Sequence, residues 1–74
     1  MSGNEIRDIR EKLKMSREDL AALLCLSGYR TMMNIETDFR KPNKLAIRLL
    51  RYLDSLPEKK AQTLIEELLS HDPE

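Results

Sequence analysis

The 74-residue sequence predicts an all-α fold, a compact domain of five helices spanning residues 1–74. Three observations carry that prediction. Apolar residues recur at spacings of three and four, the period of a helix with one buried face. Glycine stands only at positions 3 and 28, and proline only at 42, 57 and 73, so long stretches lack a breaker. The alternation of β-branched and aromatic residues that marks strands is absent. The length suits one domain with a modest core.

The first helix is expected from about Asn4 to Lys14, with Ile6, Ile9 and Leu13 on one stripe. Ser16 is a good N-cap for the second, with Asp19 three residues on. Leu20, Ala21, Leu23 and Leu24 form its apolar face. Ser27-Gly28-Tyr29 reads as turn and cap for the third helix. That helix turns Met32 and Ile35 inward, leaves Met33 at the groove edge or, as favoured, at the core margin, and ends near Thr37. Phe39 is expected to anchor the following loop. Pro42 and Asn43 open the fourth helix, with Leu45, Leu49, Leu50 and Leu53 facing inward. Ser55-Leu56-Pro57-Glu58 has the pattern of a capping box with proline near the first turn. It introduces a fifth helix over about residues 57–70, with Ala61, Leu64, Ile65, Leu68 and Leu69 apolar.

Composition narrows the function. No apolar run approaches the roughly 20 residues of a membrane span. The start, Met1 to Glu5, is polar and lacks the apolar segment of a signal peptide, so a cytoplasmic location is expected. The single cysteine, Cys25, lies between Leu24 and Leu26 and reads as a buried structural thiol. With one histidine, His71, in a polar tail, it makes no metal site. There is no nucleophile–base set, no glycine-rich phosphate loop and no ligand cluster. An enzyme, a cofactor and a small-molecule ligand are therefore not expected.

The net charge of zero hides an asymmetry. Residues 1–54 carry 11 Lys/Arg against 8 Asp/Glu, whereas residues 55–74 carry 2 against 5. The richest stretch holds Arg30, Arg40, Lys41, Lys44, Arg48 and Arg51. A phosphate-binding surface needs such local positive charge, not a basic whole.

Residues 16–37 fit two short helices that cross closely and dock on a third. Counted from Arg17, this arrangement wants an apolar fourth residue, a small fifth and apolar eighth and tenth ones; Leu20, Ala21, Leu24 and Leu26 comply. The ninth place, usually glycine, is Cys25. The next apolar places, fifteenth and eighteenth, fall on Thr31 and Asn34; shifted by one they become Met32 and Ile35. One extra turn residue near Gly28 or Tyr29, and a remodelled, longer turn, are inferred.

With Met32 and Ile35 inward, Arg30, Asn34 and Thr37 form the outward stripe. Tyr29 and Thr31 sit at its N-terminal end. Arginine can bind guanine bidentately, and asparagine adenine. Arg30 and Asn34, flanked by Tyr29 and Thr31, are the expected base readers. Ser16, Arg17, Ser27, Thr37, Arg40, Lys41 and Lys44 are the expected DNA-backbone contacts.

Residues 4–56 resemble the Cro/repressor-like (Xre-type) helix-turn-helix proteins of phages and bacteria. The matching strings are I-R-D-I-R-E-K-L-K-M-S-R-E-D-L-A-A-L-L, then I-E, then R-K-P and L-A-I-R-L-L-R-Y-L. The departures are Cys25 and the extra turn residue. The resemblance implies a lambda-repressor-like fold in a bacterial or phage-infected cell. It implies a buried ion pair between Arg10 and Glu36, which makes these two struts and not readers. It also implies a sequence-specific, double-stranded-DNA-binding transcriptional regulator, a repressor acting as a homodimer on an inverted repeat. The third helices of such a dimer lie about 34 Å apart, one turn of DNA. Leu64, Ile65, Leu68 and Leu69 on the fifth helix are the expected dimer interface, the alternative being that this strip only closes the monomer's core, and the acidic tail keeps that end off the phosphates. In size and layout the chain resembles small autorepressors of the anti-CRISPR-associated kind. The alternative is an antitoxin or adaptor, a protein-binding module on the same fold.

Overall fold

The computed structural model describes residues 1–71 and 73; Asp72 and Glu74, part of the acidic tail, lie outside the described residues. Five helices follow one another: α1 (Gly3–Lys12), α2 (Arg17–Leu23), α3 (Tyr29–Glu36), α4 (Lys44–Ser55) and α5 (Glu58–Ser70). Their starts follow local chemistry. Ser2 caps α1 by accepting the Glu5 N–H, and the Glu5 carboxylate accepts the Ser2 N–H in return. Ser16 and Asp19 form the same reciprocal pair at α2, and the Asn43 side chain accepts the Ala46 N–H at α4. Each satisfies amides that the helix itself leaves free.

Three helices end by one device. Lys14, Cys25 and Asp38 follow α1, α2 and α3 with φ of 59°, 57° and 64°. The next residue then donates back into the helix: Met15 to Arg10 at 3.1 Å, Leu26 to Ala21 at 2.8 Å, Phe39 to Asn34 at 2.9 Å. Glycine normally occupies that left-handed position. Here three residues with side chains do, which is why α1 stops at Lys12 and not, as expected, at Lys14.

The core gathers Ile6, Leu20, Met32, Leu50 and Leu53, all fully buried, with Ile9, Leu13, Met15, Ile35, Ala61 and Ile65 around them. Helix α2 packs on α3, α1 on α3 and α4, and α5 on α2. Surface ties reinforce the end of α1. Gln62 donates to the Leu13 carbonyl at 2.7 Å, Lys12 pairs with Asp54 and Lys14 with Glu58. No helix among the described residues is long and apolar enough to cross a membrane.

Several expectations are corrected. Phe39 does not anchor the loop: it is 84% exposed, because the device that ends α3 leaves its ring in solvent. Leu45 is 72% exposed, and Ala46 takes the inward place of the first turn of α4. Cys25 is exposed, since it sits on the bend after α2 and not within the helix. Met33 is exposed. Ser55 does not cap α5; it ends α4, and its hydroxyl donates to the Tyr52 carbonyl at 2.6 Å. Helix α5 starts at Glu58, with Pro57 in the N-cap position and no side-chain cap.

Candidate nucleic-acid interface

Helix α3 is short and draws its orientation from its neighbours. Met32, Ile35 and Glu36 are its buried residues, set against α1 and α2. The turn before it bends at Cys25, which takes the left-handed position that glycine usually holds. A second bend follows at Gly28, which has φ of 144° and caps α3. Any side chain at that φ would be strained, so this second bend requires glycine. Just before it, the Ser27 and Thr31 hydroxyls share a hydrogen bond of 2.6 Å.

The solvent side of α3 carries Tyr29, Arg30, Met33 and Thr37, with Thr31 and Asn34 half-buried at its flanks. Arg30 is thus free to reach outward, and Asn34 lies one turn further along the same stripe. The Thr37 hydroxyl folds back on the Met33 carbonyl at 3.0 Å. Ser16, Arg40, Lys41 and Lys44 are exposed. The loop that carries Arg40 and Lys41 is hooked to α3: the Asn34 carbonyl accepts the amides of both Phe39 and Arg40, at 2.9 and 3.1 Å. Asp38 in the same loop accepts the Gly3 N–H. These cations therefore extend from a pinned segment beside the exposed face of α3.

Beneath this face lies the ion pair of Arg10 and Glu36. Arg10 Nε donates to Glu36 Oε2 at 2.8 Å and Nη2 to Oε1 at 3.2 Å, while Nη1 donates to the Met15 carbonyl. Both residues are buried. The carboxylate also accepts Arg17 Nε at 3.3 Å, and the Arg17 guanidinium carbon lies 5.6 Å from the centre of the Tyr29 ring. Arg17, expected on the DNA backbone, is thus held partly inside the fold. Sequence reasoning missed this role, and it missed Gly3 and Asp38. A Cβ at Gly3 would run into the Glu36 carbonyl oxygen, so α1 crosses the end of α3 at closest range there. The clue was present: a glycine beside a serine cap is out of place unless backbone approaches backbone.

The expected dimer strip divides. Ile65 is 4% exposed and belongs to the core, so it is not available to a partner. Leu64 packs partly on the core, while Leu68 and Leu69 are exposed. These two line a groove of about 370 Å³ with Leu23, Cys25, Leu26 and His71. Among the described residues no group of three or more His, Cys, Asp or Glu is placed to hold a metal ion.

No protein-family model, curated protein or solved structure matches the chain.

Proposed function

We propose that this protein is a sequence-specific DNA-binding regulator of the helix-turn-helix kind, in which α2 and α3 are the paired helices and α3 enters the major groove. The observation that carries the reading is the placement of Arg30 and Asn34. Arg30 lies on the free side and Asn34 half-buried at its edge, on a helix whose other side is locked by Met32, Ile35 and Glu36. A rigid helix with outward Arg and Asn suits direct readout of guanine and adenine. The pinned loop with Arg40 and Lys41, followed by Lys44, suits contacts to the flanking phosphates. Repression is the favoured outcome, because a domain that occupies a promoter can act by exclusion alone. A homodimer on an inverted repeat would use Leu68 and Leu69, with Leu64 at the margin.

Selection from a random-sequence duplex library tests the reading. The wild-type protein should enrich a defined site. Arg30→Ala and Asn34→Ala should each weaken binding to that site by about 1–3 kcal/mol and relax choice at particular base pairs. Lys41→Ala should weaken binding to all sequences and reduce the salt dependence. An Arg30→Ala protein that binds the selected duplex like wild type would overturn the assignment.

A second reading, a protein-binding module, draws on the exposed Leu45, Leu68 and Leu69. It requires Arg30 and Asn34 to be dispensable, so the same titrations separate the two.

A further inference from the structure

Tyr29 and Glu36 are the first and last residues of α3, seven positions apart. Two helical turns bring such residues onto one stripe. Arg17, the first residue of α2, lies along that stripe and touches both. Its Nε donates to Glu36 Oε1, and its guanidinium lies over the Tyr29 ring. Glu36 is fixed independently: Arg10 binds both its oxygens, and its side chain is only 3% exposed. The Arg17 side chain is 32% exposed, so it is neither a loose surface cation nor a core residue.

We propose that Arg17 is a positioning residue for the DNA-reading end of α3: anchored on the Glu36 carboxylate, its guanidinium holds the Tyr29 ring in place. The inference rests on the DNA-binding reading above. It replaces the role of phosphate ligand that the start of a second helix suggests. A guanidinium already donating to a buried carboxylate and stacked on an aromatic face is pre-organised for that partner. The planar fork can do both at once, and an ammonium cannot. A ring held in one orientation before binding loses less rotamer freedom when α3 meets a duplex. The buried ion pair then does more than brace the fold; through Arg17 it sets the shape of the surface that DNA meets.

The test uses the duplex selected by the wild-type protein, with Arg17→Lys, Arg17→Ala, Tyr29→Ala and the double variant Arg17→Ala/Tyr29→Ala. Far-UV circular dichroism and urea midpoints check that each is folded. A positioning role predicts that Arg17→Lys and Arg17→Ala lower affinity alike, about two- to fivefold, the worth of an exposed cation–π contact. The slope of log affinity against log salt stays at the wild-type value. In the Tyr29→Ala background, Arg17→Ala has no further effect. In the free protein, the Tyr29 ring proton resonances move in Arg17→Lys. A phosphate ligand gives the reverse: Arg17→Lys binds like wild type and Arg17→Ala reduces the slope by about 0.9. That pattern, additive losses, or unmoved Tyr29 resonances would overturn the proposal while an Arg30→Ala defect kept the DNA reading intact. Failure of the wild-type protein to select any duplex would overturn both.

Discussion

The Asp38 carboxylate accepts the backbone N–H of Gly3 at 2.8 Å, so the residue that turns the chain out of α3 also helps to start α1. The two residues stand 35 positions apart. Their bond closes the place where α1 crosses α3 at backbone contact. Asp38 tolerates its left-handed backbone better than most residues with a side chain, and its short side chain supplies an acceptor for a partly buried first-turn amide.

Asp38→Ala should therefore destabilise the protein by about 1–2 kcal/mol, from loss of a cap-like bond while an L residue still occupies the left-handed site. Asp38→Gly loses the same bond but relieves the backbone, so it should cost less. Urea unfolding of the two variants measures the difference; equal losses would mean that backbone strain at 38 is unimportant.

Cys25 occupies the same backbone conformation, with its thiol exposed. Cys25→Gly should raise stability by about 0.5–1 kcal/mol, the relief of left-handed strain less the extra freedom of glycine in the unfolded chain. Cys25→Val, β-branched at positive φ, should lower it by about 1 kcal/mol. The midpoint of urea unfolding reads both, and a lower midpoint for Cys25→Gly would sink the argument.

Removing Glu36 leaves Arg10 buried without its partner and Arg17 without its anchor. Glu36→Ala should cost about 3–5 kcal/mol, enough to unfold much of a small domain. Replacing both members of the pair, as Arg10→Met/Glu36→Leu, should cost clearly less, because no buried charge is left without a partner and the unanchored Arg17 can turn to solvent. Calorimetric midpoints of the single and double variants test this ordering.

The Glu5 carboxyl is held below its ordinary value of 4.5, chiefly because the Ser2 backbone N–H donates to its ionised form. A carboxylate favoured in the folded state contributes stability that is present above its unfolded pKa. That contribution is lost as pH falls through the lower, folded value. Glu5→Gln should therefore narrow the gap in stability between neutral and acidic solution. Melting temperatures taken from pH 7 down to pH 3 measure it; an unchanged difference between the two ends would show that the cap contributes nothing.

Much of the fold was legible because its determinants are local. The caps at Ser16 and Asn43 are side chains reaching three residues along their own chain. The inward stripes of Ile6 and Ile9, of Leu20 and Ala21, and of Met32 and Ile35 follow from helical spacing alone. What failed had a non-local cause. Leu45 and Phe39 are apolar residues at plausible inward places, yet nothing folds over them. Ile65 looked available for a partner and is instead covered by the rest of the core.

The sequence by itself determined five helices, their order and the side of each that turns inward, because periodicity and capping act within a few residues. Helical spacing also gave the outward place of Arg30, while the pairing of Arg10 with Glu36 was suggested by a resemblance to known helix-turn-helix proteins. Only the tertiary structure decided that Glu36 is shared with Arg17, that Arg17 lies against Tyr29, and that Asp38 meets Gly3. Those contacts depend on how α1, α2 and α3 cross, and a crossing is set by the summed packing of side chains from all three helices, which no single stretch of chain contains.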